Sequence, residues 1–168
     1  MVGQPLIVTA TFGAADQAWL EDLRRAHYPQ ERNQVPAHLT LFRQLPPSVE
    51  PELARRLGRC AALPPPAVRM AGLIDLDQGT AIRIESDALG ELRGELAEAL
   101  CGLLTPQDSA LWRPHVTIQN KVPRGEARKL QARLAVALEP RAMAVAGLAL
   151  WRYAGGPWEP VRRYAFRG

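Results

Sequence analysis

The apolar residues Leu6-Ile7-Val8, followed by Ala10 and Phe12, make a run of strand length and predict a strand from Pro5 to Phe12. Asp16 then stands where it can cap a helix carrying Trp19, Leu20 and Leu23 on one face as far as about Tyr28. A polar loop from Pro29 to Pro36 leads into a strand over 37–45, which Pro46-Pro47-Ser48 ends. A helix over about 50–63 follows and stops at Pro64-Pro65-Pro66; strands over about 67–76 and 80–85 then flank a turn at Asp77-Gln78-Gly79. Next comes a helix over about 87–104, with Leu89, Leu92, Leu96, Leu100 and Leu103 on one stripe, and a loop through Pro106 to Pro114. A strand over 115–122, a helix over about 125–138 and strands over 141–153 and 158–166 complete the chain.

The order helix, strand, helix, strand, strand thus occurs twice. It predicts a single bilobal α+β domain over 1–168, a pseudo-twofold duplicated unit with two antiparallel-rich sheets around a central cleft and helices on the outside. The repeats run over about 14–86 and 87–168, with strand 5–12 completing a sheet.

The first strand of each repeat carries one pattern, His-x-Thr-apolar: His38-Leu39-Thr40-Leu41 and His115-Val116-Thr117-Ile118, 77 residues apart, with Pro36 and Pro114 just before. With three His and six Thr in 168 residues, two such pairings arise by chance about 0.4% of the time. Strand residues two apart share a face, so each motif sets an imidazole beside a hydroxyl and turns its apolar pair away. With the motif strands central in two sheets that meet across a cleft, His38, Thr40 and Phe42 line one wall, and His115, Thr117, Gln119 and Lys121 the other. Two imidazoles on opposite sides of a phosphodiester can serve as general acid and general base near pH 7. The hydroxyls two residues on can donate to the non-bridging oxygens.

Composition changes this picture little. At 47% hydrophobic and 23% charged, 168 residues can bury a core without disulfide or metal support. No stretch approaches the ~18 apolar residues of a membrane span, and the N-terminus has no basic leader region. Cys60 and Cys101, with no C-x-x-C spacing, read as two buried free thiols in a reducing cytoplasm. The net charge of +4 suits an anionic partner and equally an Arg-rich coding background. A metal centre wants three or four ligands, and only His27, at the end of the first helix, remains as a third imidazole. There is no Gly-x-Ser-x-Gly elbow, no Walker-type loop and no Gly-x-Gly-x-x-Gly, so neither metal nor cofactor is expected.

At Pro36-Ala37-His38-Leu39-Thr40-Leu41-Phe42 and Arg113-Pro114-His115-Val116-Thr117-Ile118 the sequence resembles the two-histidine phosphoesterase superfamily, nearest its 2′–5′ RNA ligase/cyclic phosphodiesterase (LigT-like) branch. The resemblance implies a bilobal fold with both motifs in a central cleft, and metal-independent phosphodiester chemistry on RNA ends or small cyclic nucleotides by a cytoplasmic protein; a monomer is expected, although nothing in the sequence fixes the oligomeric state. It implies His38 and His115 as the acid/base pair and Thr40 and Thr117 as phosphate-binding hydroxyls. By resemblance the first histidine is the acid for the leaving oxygen and the second the base that activates water; the residues themselves leave that assignment open. Phe42, Arg43, Arg113, Gln119, Lys121, Trp151 and Tyr153 are further candidates for substrate contact. Trp151 and Trp158 flank the Gly155-Gly156-Pro157 turn, where they can stack a base at the cleft rim or pack a hairpin as a cross-strand pair. Two other readings stay open: a module that grips an RNA end or phosphorylated ligand without turnover, and a phosphodiesterase for a small nucleotide-derived metabolite.

Overall fold

A computed structural model describes residues 3–167. Among these residues, eight strands and five α-helices follow one another as β1 (Leu6–Phe12), α1 (Ala14–His27), β2 (Leu39–Leu45), α2 (Glu50–Ala61), β3 (Val68–Asp75), β4 (Thr80–Glu85), α3 (Asp87–Ala99), α4 (Pro106–Ser109), β5 (His115–Gln119), α5 (Arg124–Ala137), β6 (Arg141–Met143), β7 (Val145–Arg152) and β8 (Glu159–Ala165). They form two four-stranded sheets, ordered β2-β1-β7-β8 and β5-β4-β3-β6, in which every neighbouring pair is antiparallel. The fold is α+β.

The strand order reveals an exchange. Read as β1-α1-β2-α2-β3 and β4-α3-β5-α5-β7, the chain holds two like units, and the last strand of each pairs with the first strand of the other: β3 with β4 and β7 with β1. Both sheets therefore draw strands from both halves of the chain. The motif strands β2 and β5 are edge strands, not central ones.

One predicted strand, 141–153, is two. It breaks at Ala144, whose N–H donates to the Asp16 carboxylate (2.7 Å) and whose carbonyl accepts from Gly13 N–H (2.9 Å). Bound to the start of α1 in this way, the chain leaves β3 after three residues and crosses to β1. Asp16 is thus not the helix cap, a position that Gly13 occupies; its carboxylate also holds Arg141 at 2.8 Å. The third helix is shorter than its leucine stripe: Leu89, Leu92, Leu96 and Leu100 are buried, whereas Leu103 lies beyond the helix end and is exposed. Ser86 caps that helix by accepting from Leu89 N–H (3.0 Å). On α2, Leu53, Leu57 and Ala61 recur every four residues and are buried beside β7 and β8, each leucine worth about 2 kcal/mol of apolar burial. Cys60 is half-buried and Cys101 exposed, so the second thiol is not the buried one expected. No helix among the described residues is long and apolar enough to cross a membrane.

Candidate active site

Both motif strands bulge at the same place. In β2 the partners of Val8 and Thr9 are Phe42 and Thr40, and in β5 the partners of Thr80 and Ala81 are Gln119 and Thr117, so Leu41 and Ile118 are each an extra residue directly after the motif threonine. A bulge reverses the inside-outside alternation. Phe42 consequently turns into the core, fully buried beneath the Arg93 guanidinium (4.6 Å to the ring centre), and does not line the cleft. Gln119 turns in likewise: it is 5% exposed and accepts from the Thr80 hydroxyl at 2.9 Å. The residues that gain the cleft are Arg43 and Gln44 on one side and Asn120 on the other.

The cleft is a cavity of about 470 Å³ that brings together His38, Thr40, His115, Thr117, Arg43 and Tyr153. Of the other sequence candidates, Lys121 is exposed outside it in a left-handed backbone conformation (φ 58°), and Arg113 borders a separate, smaller cavity. Trp151 is buried, donating from its indole N–H to the Thr9 hydroxyl (2.9 Å) and packing edge-on against Trp158. The cross-strand pairing of the tryptophans is therefore what the hairpin adopts, yet Trp158 also faces the cavity, its ring centre 4.6 Å from that of His38.

The two histidines are held in the same way. His38 Nδ1 lies 2.7 Å from the Pro36 carbonyl and His115 Nδ1 2.6 Å from the Arg113 carbonyl, in each case two residues back. A carbonyl can only accept, so Nδ1 carries the hydrogen and Nε2 is left with the lone pair in the neutral ring. Burial beside Trp158, reinforced by the positive charges of Arg24 and Arg43 and, at low pH, of protonated His115, pushes His38 down to about 4 against the pull of its Pro36 hydrogen bond. Burial also lowers His115, with Arg43 and Arg113 acting in the same direction. Both rings are thus neutral at pH 7 in the free protein.

Two arginines outside the sequence candidates hold the motif strands. Arg24, on α1, donates from Nη1 to the Thr117 carbonyl (2.8 Å), from Nη2 to the Val35 carbonyl (3.1 Å) and from Nε to Asn33 (3.1 Å). It thereby ties the loop before His38 to the strand that carries His115. Arg93, on α3, donates to the carbonyls of Leu41 (3.0 Å) and Asp108 (2.8 Å). Each unit's first helix thus sends a buried arginine to the motif strand of the other. The signal was present: Arg24 follows Leu20, and Arg93 follows Leu89, by the four residues that place a side chain on the buried face. Trp112 N–H satisfies the Thr40 carbonyl (3.0 Å), and the Asp108 carboxylate accepts from Arg43 N–H (2.9 Å) and Gln44 N–H (3.0 Å), so the free edge of β2 is closed by side chains.

Three arginines, Arg24, Arg32 and Arg43, border the larger cavity, and among the described residues no carboxylate does. Such a lining concentrates anions. No group of three or more His, Cys, Asp or Glu side chains among the described residues is placed to hold a metal ion.

The family model described as the 2′-5′ RNA ligase superfamily matches residues 12–157. The chain belongs to the 2′-5′ RNA ligase superfamily. Solved structures agree on the fold. TT0787 of Thermus thermophilus is 21% identical, with a TM-score of 0.65 over 98% of both chains. E. coli LigT complexed with 3′-AMP is also 21% identical, with a TM-score of 0.65 over 99% of both. LigT complexed with NADP+ gives 21% identity and a TM-score of 0.62 over 98% of both. No curated protein sequence matches the chain. Within the superfamily's fold, the cleft between the edge strands is where this chain's two His-x-Thr motifs converge.

Proposed function

We propose that the cleft makes and breaks phosphodiesters at 2′,3′-cyclic phosphate ends of RNA or nucleotides, as a cyclic phosphodiesterase, a 2′–5′ RNA ligase or both, by paired-histidine acid/base catalysis without a metal. The observation that carries this reading is the matched pair: two imidazoles, each with Nδ1–H fixed by the carbonyl two residues back, in a cavity with three arginines and no described carboxylate. Nucleotides bound to LigT, 3′-AMP in one structure and NADP+ in another, support a nucleotide substrate for a protein of the same fold.

One histidine takes a proton from the attacking hydroxyl or water as the new O–P bond forms, and the other gives a proton to the ribose oxygen as its bond to phosphorus breaks. An anionic phosphate favours imidazolium beside it, so substrate binding offsets the burial that keeps the acid neutral in the free protein. Thr40 and Thr117 supply hydroxyl donors to the non-bridging oxygens, and Arg43 supplies charge. The two free thiols fit a reducing compartment, and we place the activity in the cytoplasm.

The test is incubation with EDTA present of the four 2′,3′-cyclic nucleotides and a short RNA ending in a cyclic phosphate, with products separated by chromatography. Turnover that vanishes in His38→Ala and in His115→Ala, both still folded, is expected. Near-normal rates in either variant overturn the paired scheme.

A further inference from the structure

The sheets hold the two motif histidines unequally. His115 is the first residue of β5 and pairs with Arg83 of β4. The pairing of β2 with β1 begins only at Leu39, opposite Ala10, one residue after His38. The ladder therefore does not fix the backbone of His38, and no regular element before it does so either, because residues 33–38 lie outside every helix and strand.

Helix α1 supplies what the sheet does not. Gln17, Glu21 and Arg24 stand four and three residues apart, which puts them on one face of the helix. The Gln17 amide donates to the Ala37 carbonyl (2.9 Å) and to the Glu21 carboxylate (2.8 Å), and that carboxylate also accepts from Ala37 N–H. Arg24 donates to the Val35 carbonyl and, from the same guanidinium, to the Thr117 carbonyl two residues after His115. Both backbone polar groups of Ala37 and the carbonyl of Val35 are thus taken by α1. The Pro36 carbonyl between them is the one that holds His38 Nδ1 at 2.7 Å. Of the three side chains only Arg24 borders the histidine cavity.

On the basis of the function proposed above, we infer that Gln17, Glu21 and Arg24 are positioning residues, a stripe of α1 that seats His38 in register with His115 for proton transfer at one phosphodiester. Gln17 and Glu21 fix the turn into His38, and Arg24 ties that turn to the strand of the other histidine. The rigid guanidinium fork can serve two carbonyls from different strands at once, whereas the single ammonium of a lysine keeps the charge and loses the fork. A displacement of about 1 Å between reacting groups can cost about 10²-fold in rate, so a stripe with no contact to the substrate can govern kcat.

The experiment measures kcat and KM on 2′,3′-cyclic AMP for the parent, Arg24→Lys and Glu21→Ala, with two-bond 1H–15N spectra of the imidazole nitrogens above pH 7.5 to read each tautomer. Arg24→Lys should lower kcat by about 10²-fold and Glu21→Ala by about tenfold, each with KM within about threefold of the parent. In both variants His38 should move from the Nδ1–H form toward the Nε2–H form, and in Glu21→Ala His115 should keep Nδ1–H. A parent-like kcat in either variant, a loss carried by KM, or a His38 tautomer that does not move overturns the positioning role. Should Arg24→Lys not fold, Glu21→Ala, at a half-buried position outside the cavity, decides alone. If the parent turns over no cyclic phosphate while the His38 tautomer shifts as expected, the seating of His38 by α1 stands and the catalytic reading falls.

Discussion

The His38 histidinium should be far more acidic than an ordinary one, and the consequence is measurable without a substrate. Its folded value of about 4 against an ordinary 6.5 corresponds to about 3 kcal/mol at 1.36 kcal/mol per unit, an upper figure for a half-buried ring. The direction follows from which state takes up the proton. Between pH 6.5 and 4 the unfolded chain protonates this imidazole and the folded protein does not, so stability is full above about 6.5, falls with pH, and levels off below about 4. His115 and His27, also lowered by burial, act in the same direction, so the difference between the parent and His38→Gln isolates the single group. Urea unfolding at pH 7 and at pH 4 should give the parent a larger loss than His38→Gln by up to about 3 kcal/mol, and the His38 Cε1–H resonance should titrate near 4. A resonance that titrates near 6.5, or two parallel stability curves, would refute the argument that burial in the cleft keeps this ring neutral.

Trp158→Ala removes the ring that covers His38 at 4.6 Å and should raise the His38 value toward 6.5 in the same titration; an unmoved resonance would show that the tryptophan does not set it. Thr40→Ala and Thr117→Ala should each lower kcat by about 10²-fold on a cyclic phosphate with KM little changed, the effect of removing one transition-state donor, and a change confined to KM would contradict that role. Arg24→Met leaves the carbonyls of Thr117 and Val35 without their donor and should cost about 2–5 kcal/mol in urea unfolding; a loss below about 1 kcal/mol would mean that water replaces the guanidinium.

The motif histidines and threonines could be read because period two holds from His to Thr in both motifs, although β2 itself begins one residue after His38. It fails at the next step in both strands because the bulges at Leu41 and Ile118 come immediately after Thr, and neither is marked by the glycine that signals some bulges. Phe42 and Gln119 were assigned to the cleft for that one reason. Ala144 was invisible for another: the break between β6 and β7 is made by Asp16, 128 residues away, and local pattern records nothing of so distant a partner. The same holds for the edge position of β2 and β5, since strand order depends on which unit supplies each closing strand. Arg24 and Arg93 were legible, each being a charged residue on an otherwise apolar helix stripe.

The exchange of closing strands sets a timetable for synthesis. As the chain leaves the ribosome, β1 can pair at once with β2, but its other edge has no partner until β7, at 145–152, has emerged. For most of translation that edge is an open ladder of N–H and C=O groups beside an apolar strand, a template for pairing with the wrong chain. The second sheet faces no such delay on its inner side, since β3 and β4 are joined by a tight turn. The sheet that carries the first motif therefore matures last although its first two strands are made first, and the growing chain cannot complete its cleft until β7 has left the ribosome.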